Sequence, residues 1–449
     1  MPVFDADFSN YLDELCTFLR IPSVSTDPKC ASSVREAAEW VKSALLRVGL
    51  SRVNLLETDG FPVVYGEWLG KPDRPTVLFY GHYDVQPPEP LHLWQNPAFE
   101  PVVRDGQLVA RGVSDDKGQI FCHFKALERL YKKTGELPVN IKILIEGEEE
   151  IGSPSLAKFI ESNKELLAAD LLVVSDTPMF ARNQPSVCTS LRGLVYFQID
   201  VRTANSDLHS GQHGGAVPNA IQVLVDILSQ LKDQTGRILI PGFYDNVIDY
   251  GIDQLNFDEA AYQDALGCKG LVGEEGYTAL ERRWYRPTLD INGIQGGYTG
   301  EGAKTVITCE AFAKLSCRLV ANQDPVKIAQ QVEAYLNSLA PGYASVTVQN
   351  LTAGHEAGAV RVDSNNVGVQ AALNALESVW GVKPVLQGEG GSIPVLTTFQ
   401  KLLGLSPILI GLNLPEDKIH APNEQFSLEN FRRGILVAEA FYQSFLENV

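Results

Sequence analysis

Acidic and histidine side chains follow three short apolar segments of this chain. His82 ends the segment TVLFYGH, with Asp84 two residues later, and Asp176 follows LLVVS. The third segment, IKILIEGEEE, ends in a group of glutamates: Glu146, Glu148, Glu149 and Glu150. Imidazole and carboxylate groups together suit zinc, and also manganese or cobalt. These positions therefore indicate a candidate metal site.

Two polar segments carry further groups of the same kind. ARGVSDDKG contains Asp115 and Asp116, and DKIHAPNEQF contains His420 in a predicted loop before the last helix. Taken alone, each group has a plain structural explanation. A histidine at a strand end, such as His82, is usually a polar surface group, and Asp176 could cap a helix. Their coincidence after several apolar segments favours one shared site.

The surrounding pattern predicts an α/β fold with a mostly parallel central sheet. Short apolar runs lie at Val63–Trp68, Thr76–Tyr80, Val139–Ile145 and Leu171–Val174, with helical spacing between some of them. The C-terminal ends of parallel strands share one edge, where ligands bind. We therefore expect the groups that follow these strands to converge. Carboxylates packed together repel each other, and one or two divalent cations would neutralise them.

The middle of the chain has a different pattern. After about Arg192, loosely alternating strands and two helices predict a small α+β domain. The α/β pattern then resumes towards the C-terminus. We therefore expect a catalytic domain in two parts, 1–191 and 355–449, interrupted by an inserted domain at 192–354. The stretch 233–302 within the inserted domain reads as irregular, and its role is not assigned.

Composition and charge exclude several classes of partner. The 449 residues carry a formal net charge of -18 and contain no run of lysine and arginine. Nucleic acid and anionic membranes both favour basic surfaces, so we expect neither as a partner. No stretch approaches the roughly 20 apolar residues that span a bilayer, and the N-terminus does not resemble a signal peptide. Seven irregularly spaced cysteines without a CxxC motif indicate free, buried thiols and a cytoplasmic protein.

Other catalytic motifs are absent from the sequence. HExxH, GxSxG, the GxxxxGK[ST] phosphate loop and a strand leading into GxGxxG do not occur. The glycine-rich segment GEGGSIPV, which contains Ser392, has two interpretations. Its backbone N–H groups and the serine hydroxyl could bind a substrate anion, or the segment could be a tight turn.

Several motifs in a fixed order connect the chain to a known family. GHYDVQP, ARGVSDDKG, EGEEEIGS, SD, DLHSG, GEGGSIP and IHAPNE together resemble the M20 metallopeptidases, from about residue 8 to the C-terminus. The longer segments DLHSGQHGGAVPNA, KTVIT and SCRLV are most similar to its dipeptidase and carnosinase branch. The resemblance implies a dinuclear metal centre, with zinc favoured over manganese or cobalt, and a lid domain that also forms a homodimer.

The resemblance assigns each metal ligand. It implies that one metal is bound by His82, Asp115 and Asp176, and the other by Asp115, Glu150 and His420, so that Asp115 bridges both. A cis peptide between Asp115 and Asp116 is expected. Two further roles follow from the resemblance: Asp84 would orient His82, and Glu149 would act as the general base.

The resemblance also assigns residues outside the metal ligands. His209 would stabilise the oxyanion in the active site of the partner subunit, and Arg318 would bind the terminal carboxylate of the substrate, a role that suits a planar guanidinium. Thr305, His355 and Ser392 match further substrate-contact positions. Three other histidines are expected to be structural: His92, His123 and His213.

The expected reaction is hydrolysis of the peptide bond in dipeptides or short peptides that carry a free C-terminal carboxylate. The resemblance implies attack by a hydroxide that bridges the metals, with Glu149 as base. Two alternatives stay open: an N-acyl-amino-acid deacylase of the same family, and a non-catalytic binding protein with this fold. The side-chain preference and the physiological metal are not assigned.

Overall fold

The structure is a computed structural model that describes residues 5–250, 255, 257–354 and 357–448. Contacts within the chain divide it into two compact units. The first unit comprises Met1–Thr189, Val362–Gln387 and Val395–Val449, and the second comprises Ser190–Arg361 and Gly388–Pro394. The domain limits expected from the sequence, after residues 191 and 354, stay a prediction.

Helices occur throughout both units. In chain order they are α1 (Asp5–Leu19), α2 (Ala31–Val48), α3 (Lys117–Thr134), α4 (Leu156–Ser162), α5 (Lys164–Leu167), α6 (Ser210–His213), α7 (Ala220–Leu228), α8 (Glu259–Leu266), α9 (Ala279–Trp284), α10 (Pro325–Ser338), α11 (Val367–Trp380), α12 (Pro394–Leu403) and α13 (Leu428–Asn448).

The strands are mostly short. They are β1 (Arg52–Leu56), β2 (Val63–Trp68), β3 (Thr76–His82), β4 (Val102–Arg104), β5 (Gln107–Val109), β6 (Asn140–Glu146), β7 (Leu171–Val174), β8 (Ser186–Leu191), β9 (Gly193–Arg202), β10 (Leu208–His209), β11 (Thr288–Gly296), β12 (Val306–Ile307), β13 (Glu310–Leu319), β14 (Ser345–Asn350), β15 (Val360–Arg361), β16 (Val385–Glu389), β17 (Pro407–Ile410) and β18 (Gln425–Ser427).

The sheet of the first unit is parallel at its centre. Its strands lie in the order β1-β2-β6-β3-β7-β17-β8, and the four central strands β6, β3, β7 and β17 run parallel. The strands that flank them pair antiparallel. Strands β6 and β7 are buried along their whole length, which is typical of parallel strands covered on both faces. The α/β class expected from the sequence is therefore confirmed.

Helices bury this sheet and bring the site residues to its edge. Helix α3 is buried over most of its length and contacts α2 and α13. Aromatic rings fill the space between the helices: Phe18 stacks on Trp40 with ring centroids 4.1 Å apart, and Phe121 stacks on Phe431. Helix α3 begins at Lys117, directly after Asp115 and Asp116. The packing of the helix therefore also fixes the position of these two residues.

The second unit contains an antiparallel sheet in the order β11-β13-β9-β14. Along β9, every second residue is buried, from Val195 to Val201. This face packs against α7 and α10, with a core that includes Leu224, Ile227 and Val332. A sheet with helices on one face is an α+β arrangement, as the sequence predicted.

The stretch 233–302 is more ordered than the sequence indicated. Helices α8 and α9 and strand β11 lie within it, so the irregular interpretation is wrong for these elements. Strand β11 lies at the sheet edge and most of its side chains are exposed, and this removes the apolar alternation that marks a strand. A buried ion pair holds the preceding segment, since Arg286 makes two hydrogen bonds of 2.8 Å to Glu274.

The structure bears on two further features of the chain, its membrane-spanning potential and its cysteines. Within the described residues, no helix has the length and apolar character needed to cross a bilayer. All seven cysteines are free, as expected, although only Cys122, Cys188 and Cys317 are buried.

Candidate active site

Five side chains of the first unit converge in two groups. One group is formed by His82, Asp115 and Asp176, and the other by Asp115, Glu150 and His420. Within each group the nitrogen and oxygen atoms lie within 4.8 Å of one another. These are the residues that the resemblance names as ligands of two metals, and Asp115 belongs to both groups. Their role as ligands stays a prediction.

The two oxygens of Asp115 face different histidines. Oδ1 lies 3.0 Å from Nε2 of His82, and Oδ2 lies 2.9 Å from Nε2 of His420. The peptide between Asp115 and Asp116 is cis, as expected from the resemblance. Burial opposes ionisation of the carboxyl, but His420 and His82 outweigh it and lower the pKa of Asp115. Asp115 is therefore anionic between two imidazole rings.

The fold places Asp115 and His82 side by side because β3 lies directly against α3. A Cβ atom on Gly81 would lie 2.3 Å from Cγ2 of Ile120 and 2.8 Å from Oδ2 of Asp116. Only glycine allows this approach. The next residue, His82, ends β3 and pairs in register with Glu146 at the end of β6. The strand ends therefore meet at one edge of the sheet, as the sequence predicted.

The ring orientation of His82 suits metal binding. Its Nδ1 lies 3.1 Å from the backbone oxygen of Asp84 and 3.4 Å from Oδ1 of the same residue. A proton on Nδ1 satisfies both acceptors, so Nε2 is the ring nitrogen that would carry a lone pair towards a bound cation. Nε2 is buried and has no aligned hydrogen-bond partner within the described residues. Such an atom is satisfied by a cation.

The carboxylate of Asp84 connects this strand end to the glutamates. Oδ1 accepts a hydrogen bond of 3.2 Å from the backbone N–H of Glu149, and Oδ2 accepts one of 3.1 Å from that of Glu150. The two glutamates lie in a short 3-10 turn, Glu149–Ile151, directly after β6. Asp84 therefore orients His82 through its carbonyl and Glu149 and Glu150 through its side chain.

Among the described residues, only one oxygen of Glu150 has a partner. Its Oε2 accepts a hydrogen bond of 2.7 Å from Nε2 of Gln86 and lies 3.4 Å from Nε2 of His420. Its Oε1 is buried without a hydrogen-bond partner among the described residues. Like Nε2 of His82, this buried oxygen lacks a partner that a bound cation would supply.

The electrostatics of the cluster give the same result. Burial raises the pKa of Asp176 well above its usual value, and Asp115 and Asp116 raise it further. Burial also raises the pKa of Glu149 well above its usual value; Asp176 and Glu150 act in the same direction, whereas His82 opposes them. These carboxylates need more positive charge than two histidines supply. A pair of divalent cations with nitrogen and oxygen ligands fits this donor set.

Glu146, at the end of β6, and Glu148, just after it, belong to neither ligand group. Oε1 of Glu146 accepts hydrogen bonds from the hydroxyls of Tyr80 (2.6 Å) and Ser153 (2.8 Å). Oε1 of Glu148 accepts a hydrogen bond of 3.3 Å from the backbone N–H of Phe61. Glu146 lies at the predicted sheet edge beside His82, but the side chains of Glu146 and Glu148 bind local partners and belong to neither ligand group.

The predicted substrate-binding residues lie in the second unit. Arg318 is on β13, opposite Leu194 of β9, and its Nη1 donates a hydrogen bond of 2.9 Å to Oγ of Ser392. Arg192 holds the segment that carries Ser392, since its Nε donates to the backbone oxygen of Gly390 at 3.0 Å. The structure therefore brings Arg318 and Ser392 together.

The other predicted residues of the second unit form a second local group. His209 ends β10, which pairs with β12, and the backbone oxygen of Thr305 accepts a hydrogen bond of 3.1 Å from the N–H of Ser210. The imidazole of His209 is exposed, and its Nδ1 accepts a hydrogen bond of 3.0 Å from the N–H of Gly211. His355 lies outside the described residues.

Sequence reasoning missed three residues that contact the ligand-bearing segments. Gln86 contacts Glu150, and Arg111 forms a buried pair with Glu424 beside Asp115. Each of them lies inside a motif that the sequence analysis used: GHYDVQP, ARGVSDDKG or IHAPNE. Their position within these motifs was the available signal, but the partner of each residue could not be predicted from the sequence.

Comparisons with known proteins extend these observations. The model of the family described as peptidase family M20/M25/M40 matches residues 78–444. The chain is 32% identical over 455 residues to the Cys-Gly metallodipeptidase dug1 of Schizosaccharomyces pombe, covering 96% of this chain and 95% of that protein. It is 31% identical over 391 residues to the beta-Ala-His dipeptidase of Homo sapiens, covering 85% of this chain and 77% of that protein.

A solved structure agrees in fold as well as in sequence. The M20 family metallo-carboxypeptidase Sso-CP2 from Sulfolobus solfataricus has a TM-score of 0.85 and 32% identity, over 97% of this chain and 99% of that one. The family match spans the segments that carry all five converging residues. The chain therefore belongs to the M20 family of peptidases and is a metallopeptidase.

Proposed function

We propose that the chain is a dipeptidase with two divalent cations that cleaves dipeptides or short peptides carrying a free C-terminal carboxylate. The observation that carries the proposal is the shared position of Asp115 between two groups of histidine and carboxylate ligands. Two of the relatives compared above are named dipeptidases and one is named a carboxypeptidase. Together these support a substrate that is a small peptide with a free carboxyl end.

The ligand assignment follows the two groups. His82, Asp115 and Asp176 would hold one cation, and Asp115, Glu150 and His420 the other. Zinc suits these nitrogen and oxygen donors, and manganese or cobalt could replace it. When bound, the cations would supply Lewis acidity that acidifies a water molecule and polarises the scissile carbonyl.

Glu149 is the proposed general base. Glu149 lies next to Glu150 in the same 3-10 turn, and its backbone N–H donates a hydrogen bond to Asp84. It belongs to neither ligand group. Its carboxylate would accept a proton from water as the new C–O bond forms. It would then donate that proton to the nitrogen as the C–N bond breaks. One water is consumed, and the products are an amine and a carboxylate.

Arg318 is the proposed binding group for the substrate carboxylate. Its guanidinium is partly buried, and burial lowers its pKa although Asp290 and Glu389 oppose this. A guanidinium binds a carboxylate with two parallel hydrogen bonds. The hydroxyl of Ser392 fixes one of its nitrogens. Thr305 and His355 are proposed as further contacts with the substrate.

His209 is proposed to stabilise the oxyanion of the partner subunit in a homodimer. Because Nδ1 of its ring accepts the N–H of Gly211, the proton of the neutral imidazole is on Nε2. Nε2 is then a hydrogen-bond donor, which is what an oxyanion requires. Removal of one such donor typically lowers turnover by about 10²–10³-fold.

The test is a substrate panel with the metal-reconstituted protein. It contains free dipeptides, the same dipeptides with an amidated C-terminus, and N-acetyl and N-succinyl amino acids. Hydrolysis of free dipeptides that is lost on amidation supports the proposal. Preference for N-acyl amino acids would make the chain a deacylase, and no hydrolysis with any divalent cation would contradict a catalytic role.

Two variants of adjacent glutamates test the base. We expect Glu149→Gln to abolish turnover while metal content stays near that of the wild type. Glu148→Gln is the matched control, because Glu148 contacts the backbone of Phe61 and the amide oxygen of glutamine can replace that contact. Turnover in Glu149→Gln comparable to the control would show that another group takes the proton.

A further inference from the structure

A buried ion pair lies directly behind the candidate metal ligands. Nη1 of Arg111 donates a hydrogen bond of 2.8 Å to Oε2 of Glu424. Arg111 is 1% exposed and Glu424 is fully buried. Burial of two charges is costly unless the geometry and the remaining hydrogen bonds compensate. A buried pair such as this one therefore calls for a structural or functional explanation, whereas an exposed pair would not.

Glu424 uses its carboxylate to fix the backbone before Asp115. Oε2 accepts a hydrogen bond of 2.9 Å from the N–H of Gly112. Oε1 accepts bonds from the N–H groups of Ser114 (2.8 Å) and Asp115 (3.1 Å). With Arg111, the carboxylate receives four hydrogen bonds, which fills its acceptor sites. The position of Asp115 is therefore set by a side chain from the opposite end of the sequence.

The same pair reaches the other ligand-bearing segments. Nη2 of Arg111 donates a hydrogen bond of 3.2 Å to the backbone oxygen of Pro87, five residues after His82. The backbone oxygen of Glu424 accepts a hydrogen bond of 3.1 Å from the N–H of Ala110. Since Glu424 is four residues after His420, one ion pair ties the segments that carry His82, Asp115 and His420.

The loop between Asp417 and Glu424, which carries His420, has an unusual backbone conformation. Lys418, His420 and Asn423 all have positive φ angles, of 57°, 59° and 64°. L-residues adopt this conformation only where the surrounding structure holds it. Glu424 ends the loop, and Asp417 at its start accepts a hydrogen bond of 2.7 Å from the N–H of Leu414. Both ends of the loop are therefore fixed while His420 itself is half exposed.

We propose that Glu424 is a positioning residue for the metal centre, which holds Asp115 and His420 at the separation that the second cation requires. The proposal rests on the two-cation function above. His420 belongs only to the group with Asp115 and Glu150 and lies in the loop that Glu424 ends, whereas His82 is also held by the pairing of β3 with β6. Loss of Glu424 should therefore weaken the binding of one cation much more than that of the other.

The experiment is a cobalt titration of the chelator-stripped full chain. Binding is measured by calorimetry and by the visible absorption of bound Co²⁺, which reports the ligand geometry. We expect the wild type to bind two ions. Glu424→Gln keeps the shape of the side chain and removes its charge, and we expect one ion to bind nearly as before and the other about 10–100-fold more weakly.

A buried carboxylate elsewhere in the same unit provides the matched control. Glu128 on α3 is paired with Lys125 and Lys132 and belongs to neither ligand group. We expect Glu128→Gln to lower thermal stability but to leave both cobalt affinities and the absorption spectrum unchanged. A purely structural role of Glu424 would give the same result in both variants.

The outcomes separate this proposal from the proposed function. If Glu424→Gln does not fold, the double variant Arg111→Gln/Glu424→Gln, which leaves no unpaired buried charge, is titrated instead. Two cobalt ions bound as tightly as in the wild type would overturn the positioning role. A wild type that binds a single ion would contradict the two-cation function, and the positioning role would then require weaker binding of that one ion in the variant.

Discussion

Oδ2 of Asp84 accepts a hydrogen bond of 3.1 Å from the backbone N–H of Glu150, across a separation of 66 residues in the chain. The bond joins the end of β3 to the turn after β6. The other oxygen of Asp84 binds the N–H of Glu149 in the same way. One carboxylate therefore aligns a proposed ligand and the proposed base.

The first prediction concerns this carboxylate. In Asp84→Asn, one N–H of the turn would face the amide NH₂ group instead of an acceptor. We expect metal affinity to fall by about 10–100-fold, as measured by calorimetry, and turnover to fall with it. Asp59→Asn is the control, because Asp59 forms an exposed pair with Lys158. Equal metal affinity in the two variants would contradict the role of Asp84.

The second prediction concerns removal of the metal. Without cations, the buried carboxylates of Asp176 and Glu149 repel each other and resist ionisation. We expect chelator treatment to abolish activity and to lower the melting temperature, with both recovered on adding zinc. A ligand at 100 times its Kd stabilises the folded state by about 2.7 kcal/mol. A melting temperature that is insensitive to the chelator would show that the cluster binds no cation.

The third prediction concerns Arg318. We expect Arg318→Met to lower kcat/KM for free dipeptides by an amount equivalent to about 2–5 kcal/mol of transition-state stabilisation, since the substrate carboxylate would lose a buried charged partner. Dipeptides with an amidated C-terminus should be hydrolysed equally poorly by wild type and variant. Ser392→Ala keeps the guanidinium and should cause a smaller loss. An equal loss on both classes of substrate would mean that Arg318 does not bind the carboxylate.

The fourth prediction tests whether His209 acts across subunits. Purified mixed dimers of Glu149→Gln and His209→Ala chains would contain one complete site, if His209 serves the partner. We expect these dimers to be active while each homodimer of a single variant is nearly inactive. Sedimentation establishes the dimer first. Inactive mixed dimers would place His209 in the site of its own chain.

The fifth prediction concerns the pH dependence of stability at His123. The ring is buried, stacks on Phe79, and bonds the hydroxyls of Tyr442 (2.9 Å) and Ser175 (2.8 Å). Burial lowers the pKa of His123 from 6.5 to about 3. The folded state therefore contains the neutral ring. The contribution of His123 to the stability of the fold is complete above pH 6.5 and is lost as the pH falls towards 3.

The measurement is the unfolding free energy of wild type and His123→Gln at pH 7 and pH 4.5. The advantage of the wild type should shrink by roughly 2–3 kcal/mol between the two, from the linkage relation. Other groups that titrate in this range contribute to both proteins, so the difference isolates His123. A difference that does not change with pH would mean that the ring can become charged in the folded state.

The sequence predicted the convergence of the site for a physical reason. Apolar runs end at His82, Glu146 and Val174, and a parallel sheet brings such ends together whatever their distance in the chain. It could not show which glutamates turn towards the site. That depends on local partners such as Tyr80 for Glu146, which only the folded structure supplies.

Long-range side-chain pairs were equally inaccessible. Arg111 and Glu424 are separated by 313 residues, and no periodicity or spacing relates them. Edge elements were missed for a different reason: the exposed strand β11 has no buried face, so its sequence lacks the alternation by which strands are recognised. Helix α12, which begins two residues after Ser392, was not predicted.

The unequal exposure of His82 and His420 has a kinetic consequence for the two proposed cations. The side chain of His82 is fully buried, whereas that of His420 is 53% exposed. A cation held beside His420 would therefore be closer to solvent than one held beside His82. Exchange rates should therefore differ, and a brief chelator pulse followed by a second metal would yield a mixed-metal protein with each element at a defined position.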